Sequence, residues 1–284
     1  MDAPVIKFFS LTYAVTWSYW AAAMALSPGM LAQSLFLLGV VAPSLVALGL
    51  TVQANGREGA LALLRRMFKW DVAARWYVFA VGYLAAIKLA VAVVHRLAFG
   101  EWPRFGQEAW YVLAAAMVTS TWVQAGEEIG WRGYALPRMA ARLGLGPSSL
   151  LLGAVWACWH LPLFFVSGAD TQGQSFPVYL LQVIALSVAM GWLYWRTEGS
   201  LLLVMLMHAA INNTKDIVPS AVPAATNPFA LSSSEVAWLT VALLWIGAAY
   251  FLVRMRQAVL PAASGLLSTP PPLSRAGSST PSRG

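Results

Sequence analysis

With 284 residues, of which 59% are hydrophobic and only 10% are charged, the chain is too apolar for an ordinary soluble domain. Its net charge of +7 does not indicate a nucleic-acid-binding protein, because the basic residues are spread over short segments between apolar runs. The composition therefore predicts an integral-membrane protein in contact with the lipid bilayer and with no nucleic-acid partner.

Apolar segments of about the length that crosses a bilayer as a helix occur along most of the chain. They lie at 6–26, 31–53, 76–98, 114–136, 148–167, 177–196, 200–213 and 236–257. The seventh is short, but its first half is too apolar to lie in water. We therefore predict an all-α, polytopic membrane bundle of about eight transmembrane helices.

Basic residues near the ends of these segments predict the orientation of the chain. Five lie between the second and third segments: Arg57, Arg65, Arg66, Lys69 and Arg75. Arginine and lysine are enriched on the cytoplasmic side, so eight spans would leave both termini in the cytoplasm. The first segment has Lys7 as its only basic residue and no convincing cleavage site, so we expect a retained span. The expected location is the cytoplasmic membrane of a bacterium.

The distribution of polar residues divides the chain into four parts. We expect N-terminal transmembrane helices over 1–110, a core over 111–215 that contains most of the polar motifs described below, and a C-terminal transmembrane helix within 216–260. The remainder, 261–284, is rich in Ser, Thr and Pro and has too few apolar residues to fold. It is predicted to be a disordered tail.

The fourth segment contains two adjacent carboxylates. Glu128 and Arg132 are four residues apart, the spacing at which a carboxylate and a guanidinium meet on one helix face. Glu127 is rotated by roughly 100° from Glu128, so it can face a cavity and act as a general base. The alternative is a charged helix end at the membrane interface.

Two later segments carry histidines. His160 lies in Trp-Ala-Cys-Trp-His-Leu-Pro, and its alternative role is that of a hydrogen-bonded packing residue. His208 and Asn212 share one helix face at the i,i+4 spacing, so both could donate hydrogen bonds to a developing oxyanion. Lys88, near the middle of the third segment, is expected to pair with a carboxylate or to line a cavity, unless the span boundary is misplaced.

Depth in the membrane tests whether these groups form one site. A helical rise of about 1.5 Å per residue places both histidines and Asn212 at a similar depth, roughly 12–18 Å from the cytoplasmic ends of their segments. Glu127 reaches that level only if the fourth helix continues to about 134–136, with Pro137 marking its end. A break before Glu127, or a distance above roughly 10 Å from both histidines, would exclude the shared site.

Three glycines in the apolar segments, Gly82, Gly153 and Gly191, are expected to allow close helix approach, because small residues are favoured where membrane helices pack.

Three motifs resemble those of the CPBP family, also called Abi, which includes type II CAAX-prenyl endopeptidases and bacteriocin-processing proteins. They are Glu-Glu-Ile-Gly-Trp-Arg-Gly, Trp-His-Leu-Pro, and Arg-Thr-Glu-Gly-Ser followed by His-Ala-Ala-Ile-Asn-Asn. The resemblance covers about 112–213, in the same motif order, and omits the first and last spans. It implies a helical intramembrane protease that hydrolyses peptide bonds with a water activated by glutamate and histidine.

The resemblance also implies roles for individual residues. Glu127 would be the general base, His160 its partner in positioning water, and His208 with Asn212 the oxyanion stabilisers. The pair Glu128 and Arg132 would be structural. The family's second motif usually opens with Phe, whereas this chain has Trp156, a change that affects the shape of the cavity more than the chemistry.

The family has also been described as metalloproteases. Glu127, His160 and His208 could ligate zinc, but the chain has no His-Glu-x-x-His motif. We therefore expect no required cofactor and favour catalysis without a metal.

The expected partner is a membrane-associated protein or peptide substrate, of the CAAX type or another, and the motifs do not encode the oligomeric state. Two other functions stay open. One is a non-catalytic immunity factor or scaffold of the same fold. The other is a proton-coupled transporter, which the lack of paired broken helices in two matching halves disfavours.

Overall fold

The computed structural model of the protein describes residues 3–166, 169–220, 227–256 and 258. These residues contain helices and no β-strand, which confirms the predicted all-α class. The predicted tail, 261–284, lies outside the described residues. The main helices are α1 (Ala3–Met24), α2 (Met30–Arg65), α3 (Ala74–Phe99), α4 (Trp110–Val123), α5 (Ala125–Glu128), α6 (Leu136–Leu143), α7 (Leu145–Trp159), α8 (Phe176–Arg196), α9 (Leu201–Thr214) and α10 (Glu235–Met255).

Among the described residues, five helical segments are long and apolar enough to cross a membrane. They are Met30–Phe68, Ala74–Phe99, Leu145–Phe165, Phe176–Arg196 and Glu235–Met255. Each matches one of the predicted spans, but the number of eight is not confirmed. Helices α4 and α9 have only 14 residues each. Helix α1 has 22 residues, among them Lys7 and several hydroxyl-bearing side chains that lower its hydropathy.

Helix α9 is short because it lies inside the bundle. It packs against α3, α4 and α8, and most of its side chains are buried. Its surroundings are therefore protein, so it does not need the full length of a helix that faces lipid. The helix begins after Ser200, whose Oγ accepts a hydrogen bond from the backbone N–H of Leu203 at 3.3 Å. This position places His208 and Asn212 within the bundle.

The segment with the two carboxylates differs from the single helix predicted over 114–136. Helix α4 ends at Val123, and after a turn at Gln124 the chain continues through α5, a π-helix over Ile129–Ala135, and α6. Pro137 therefore does not end the helix. It lies in the first turn of α6, directly after the π-helix. Wide π turns are rare and are frequent at functional sites.

Helix α2 supports this segment directly. Pro43 has no N–H to donate to the carbonyl of Gly39 one turn earlier, and Thr16 Oγ1 of α1 donates to that carbonyl at 2.9 Å instead. Gly130 of the motif segment packs against Pro43, since a Cβ atom added to Gly130 would lie only 2.7 Å from the carbonyl oxygen of Pro43. Ser44 Oγ also donates to the carbonyl of Ala125 at 2.5 Å. The backbones of α2 and the motif segment are therefore in close contact.

Of the three glycines expected at helix contacts, two have that role and one does not. Added Cβ atoms would meet Ile184 at Gly153 and Ser149 at Gly191. Gly82 has no atom within 4 Å of such a Cβ, so the prediction for Gly82 is wrong.

We expect Gly153→Ala to lower the free energy of unfolding by about 1–3 kcal/mol, because overpacking of a close contact costs that much. The new Cβ would lie 2.7 Å from the Cα of Ile184, a backbone atom that cannot move alone. Gly82→Ala is the matched control, with no expected loss. Thermal unfolding in detergent micelles measures both variants, and equal losses would contradict the packing assigned to Gly153.

Candidate active site

Glu127 is a buried carboxylate held by two tryptophans. Its Oε2 accepts hydrogen bonds from the indole N–H of Trp156 at 2.8 Å and of Trp131 at 3.3 Å. The residue is only 6% exposed, and Oε1 has no hydrogen-bond partner among the described residues. One oxygen thus fixes the orientation of the group, while the other is available to a ligand or a water molecule.

Glu128 lies at the centre of a buried network. Nη1 of Arg132 lies 2.8 Å and 3.1 Å from its two carboxylate oxygens, so the expected i,i+4 pair forms. Both side chains are fully buried. Glu128 Oε1 also lies 2.8 Å from Nδ1 of His208. The pair therefore does more than stabilise its own helix, because it also orients the imidazole supplied by α9.

Trp156 of α7 joins the parts of the site. The guanidinium of Arg132 lies 4.3 Å above its ring. The same ring lies edge-on to the rings of His208, at 5.0 Å between centroids, and of His160, at 5.8 Å. Its N–H also donates to Glu127, so this one side chain contacts the carboxylate and packs against both histidines. Glu127 lines the same cavity as both histidines although the helix breaks at Gln124, so the expectation that such a break would exclude a shared site is wrong.

His160 lies at the C-terminal end of α7, and not inside a continuous helix over 148–167 as predicted. The chain continues as a short 3-10 helix, Leu161–Phe165, because Pro162 has no N–H for the next helical bond. Nδ1 of His160 lies 2.9 Å from the carbonyl oxygen of Trp156. A carbonyl only accepts, so Nδ1 carries a proton, and in the neutral ring Nε2 is a hydrogen-bond acceptor.

The same reasoning limits the role of His208. Its Nδ1–H donates to the Glu128 carboxylate, so Nε2 can donate to an oxyanion only when the ring carries both protons. Asn212 lies one turn further along α9 and is exposed to the cavity. Its neighbour Asn213 donates to Ser120 Oγ at 3.0 Å and to the carbonyl of Ala209 at 2.8 Å. Asn213 thus joins α9 to α4, whereas the amide of Asn212 is available to a ligand.

These groups line one cavity of about 580 Å³. Its wall includes Glu127, His160, His208 and Asn212, together with Lys88 and Tyr179. Glu128 and Arg132 are absent from the lining and lie behind it. The volume is within the range of about 300–1,000 Å³ that is usual for sites that bind small ligands.

Two contacts in the site, one at Glu127 and one at His160, were not predicted from the sequence. Trp131 is four residues after it, so the spacing rule that paired Glu128 with Arg132 could also have indicated this bond. Tyr179 belongs to α8, and its ring packs against His160 with 5.9 Å between centroids. No local pattern indicates that contact, because it depends on how α7 and α8 pack.

The zinc alternative concerns Glu127, His160 and His208, which line one cavity. In this alternative, Glu127 Oε1 and Nε2 of both histidines would be the atoms available to a metal, because Glu127 Oε2 accepts from two indoles and Nδ1 of His208 contacts Glu128. The described residues include no group of three or more His, Cys, Asp or Glu side chains arranged to hold a metal ion. We therefore derive no step through a metal.

We expect Trp156→Phe, which introduces the residue usual in the second motif of the CPBP family, to lower kcat by about tenfold. A hydrogen bond to a charged group contributes about 1.5–3 kcal/mol, and part of this stabilisation remains through Trp131. The phenyl ring preserves the packing on Arg132 and His208. Trp131→Phe, which removes the longer bond of 3.3 Å, should have a smaller effect. Wild-type kcat in Trp156→Phe would contradict an orienting role for the indole N–H.

Comparisons with known proteins agree with these motifs. Residues 106–214 match the family model described as type II CAAX prenyl endopeptidase Rce1-like. The chain is also 23% identical over 230 residues to CAAX prenyl protease 2 of Methanococcus maripaludis, an alignment that covers 74% of this chain and 83% of the relative. The family match contains Glu127, Glu128, Arg132, His160, His208 and Asn212, whereas Lys88 lies outside it. The resemblance found in the motifs is thus confirmed.

Proposed function

We propose that this chain, a membrane protein that belongs to the CPBP family of type II CAAX proteases, is an intramembrane endopeptidase in which Glu127 activates the attacking water. One observation carries the proposal. The Glu127 carboxylate is oriented through Oε2 at the wall of a cavity that it shares with His160, His208 and Asn212. A general base must be held close to the proton that it removes, and an oriented carboxylate with one open oxygen at a cavity wall supports that role.

In the proposed reaction, a water molecule donates one hydrogen bond to Glu127 Oε1 and the other to Nε2 of His160. Glu127 removes the first proton as the water oxygen attacks the carbonyl carbon of the peptide bond. The amide of Asn212 donates to the oxyanion, and the His208 ring adds a second donor in its doubly protonated form. The C–N bond then breaks, and the departing amine takes the proton from Glu127.

The proposed substrate is a membrane-associated peptide with a lipid-modified C-terminal motif. The aligned relative bears the name CAAX prenyl protease 2. A CAAX motif is a C-terminal cysteine that carries a prenyl group, followed by three residues. A prenyl chain would remain in the bilayer next to the bundle, while the peptide enters the cavity.

Cleavage by the purified full-length protein in lipid vesicles tests this function. The probe is a synthetic peptide that ends in a farnesylated CAAX motif, and mass spectrometry identifies the fragments. We expect cleavage on the C-terminal side of the farnesylated cysteine. A second assay compares the proteins of membranes that contain this protein with those of membranes that lack it. If the correctly folded protein cleaves neither the peptide nor any of these membrane proteins, the scaffold alternative is the better explanation.

A further inference from the structure

Lys88 is a buried cation that forms no direct ion pair with any of the described residues. It lies in the middle of α3 and is only 3% exposed. Its Nζ donates to Ser220 Oγ at 2.7 Å, to the carbonyl of Val218 at 3.1 Å and to Thr240 Oγ1 at 3.4 Å. All three acceptors are neutral, and no carboxylate of the described residues forms an ion pair with it. The pairing with a carboxylate that we considered from the sequence is therefore absent.

A second lysine in the same cavity has the opposite environment. Nζ of Lys215 lies 2.8 Å from a carboxylate oxygen of Asp216 and 3.4 Å from one of Asp170. Its side chain is 29% exposed, so water also stabilises its charge. Lys215 is thus paired and partly solvated, whereas Lys88 is buried and its direct hydrogen-bond partners are all neutral, with Asp216 acting on it only from a longer distance.

Such a charge is costly inside a membrane bundle. A buried ion without a counterion loses several kcal/mol of solvation, and neutral oxygens offset only part of that loss. Ionisable groups inside transmembrane segments are accordingly a sign of function. A ligand with a negative group would supply a direct counterion, and Lys88 lines the cavity into which such a ligand would bind.

Lys88 and Glu127 line the same cavity, so one ligand can contact both. In a CAAX substrate, the free α-carboxylate lies three residues beyond the modified cysteine. Three extended residues span about 10 Å, a length that suits a cavity of small-ligand size. Ser220 Oγ accepts from Lys88 and can donate its own proton to the same carboxylate.

We propose that Lys88, with Ser220, binds the C-terminal α-carboxylate of the substrate and so restricts cleavage to the end of a chain. This inference rests on the proposed function and identifies the part of the substrate that the cavity recognises. Lys88 would be a binding residue, separate from the groups that act on the peptide bond.

The test compares two farnesylated peptides that differ only in their C-terminus, a free carboxylate or an amide. We expect the wild-type protein to cleave the acid with a kcat/KM about 10–100-fold higher, since a charged hydrogen bond contributes about 1.5–3 kcal/mol. The Lys88→Met variant should cleave both peptides with the kcat/KM that the wild-type protein shows for the amide. Lys215→Met, the matched control, should keep the preference because its charge is already paired.

Equal cleavage of acid and amide by the wild-type protein would overturn the inference and leave the protease function intact. A preference that survives in Lys88→Met would exclude Lys88 as its source. Lys88→Gln, which keeps a hydrogen-bonding group, replaces the methionine variant if that protein does not fold.

Binding separates this inference from the protease function itself. The affinity of the full-length Glu127→Gln protein for the released tripeptide, as acid and as amide, requires no catalysis. Carboxylate recognition is supported if the Glu127→Gln protein binds the acid more tightly than the amide and the double variant Glu127→Gln with Lys88→Met does not. Equal affinities would overturn it, even if the protein proves to be inactive on every peptide.

Discussion

Glu127→Gln is expected to lower kcat by about 10²–10⁴-fold, the usual contribution of general-base catalysis. Glutamine has nearly the same size as glutamate, and its amide oxygen can still accept the bonds from Trp131 and Trp156. The substitution thus removes the base and leaves the packing in place. Initial rates on the farnesylated peptide in vesicles give kcat and KM, and KM should change little.

The matched control for this variant is Glu198→Gln. Glu198 lies in the turn between α8 and α9, where its largely exposed side chain pairs with Lys69 at 3.1 Å. Glu198→Gln makes the same chemical change far from the candidate site, so the kcat of this variant should equal that of the wild type. A Glu127→Gln protein that keeps more than a tenth of the wild-type kcat would exclude Glu127 as the base. His160→Ala should likewise abolish most of the activity in a folded protein.

Arg132→Met is expected to lower the free energy of unfolding by about 3–5 kcal/mol, the usual cost of leaving one member of a buried ion pair alone. Glu128 would keep its contact with Nδ1 of His208, but its charge would remain fully buried without the guanidinium. The cation above the ring of Trp156 would also be lost. Thermal or denaturant unfolding in micelles measures the effect.

The double variant Glu128→Gln with Arg132→Met separates charge from packing. It removes both charges, so most of the lost stability should return, because replacing a whole buried pair is often nearly neutral. Glutamine can still accept from His208. If the single and double variants unfold at the same temperature, the destabilisation does not come from an unpaired carboxylate.

The positions of several helices could be predicted from local patterns. The last three predicted spans begin within two residues of α8, α9 and α10, because an apolar run follows a serine in each case. Ser175, Ser200 and Ser234 all cap their helices through Oγ. Five of the eight predicted segments form helices that are long and apolar enough to cross a bilayer, because an apolar run of that length is visible in the sequence itself.

The structure around the motif could not be predicted in the same way. The π-helix over Ile129–Ala135 and the turn at Gln124 leave no apolar signature, since the residues remain helical and buried. The depth estimate assumed a straight helix from one end to the other. It nevertheless placed Glu127 in the cavity, because the backbone at Gln124 stays in the right-handed helical region.

Within the site, contacts along one helix were predictable and contacts between helices were not. The spacing of Glu128 and Arg132 predicted their pairing directly. The bonds from His208 to Glu128 and from Trp156 to Glu127 join α9 and α7 to the motif segment, and they depend on the packing of the bundle. The lack of a direct ion pair at Lys88 within the described part of the chain likewise depends on how the helices pack.

A single-turnover cleavage in water enriched in ¹⁸O, with enzyme in excess over the farnesylated peptide, tests the central claim most directly. If Glu127 acts as a base on water, every first-turnover product carries one ¹⁸O atom in the newly formed carboxylate. Mass spectrometry of the fragment that ends in the farnesylated cysteine reads this label. First-turnover product that lacks ¹⁸O would mean that an oxygen of the protein attacked the peptide bond, which would contradict water activation by Glu127.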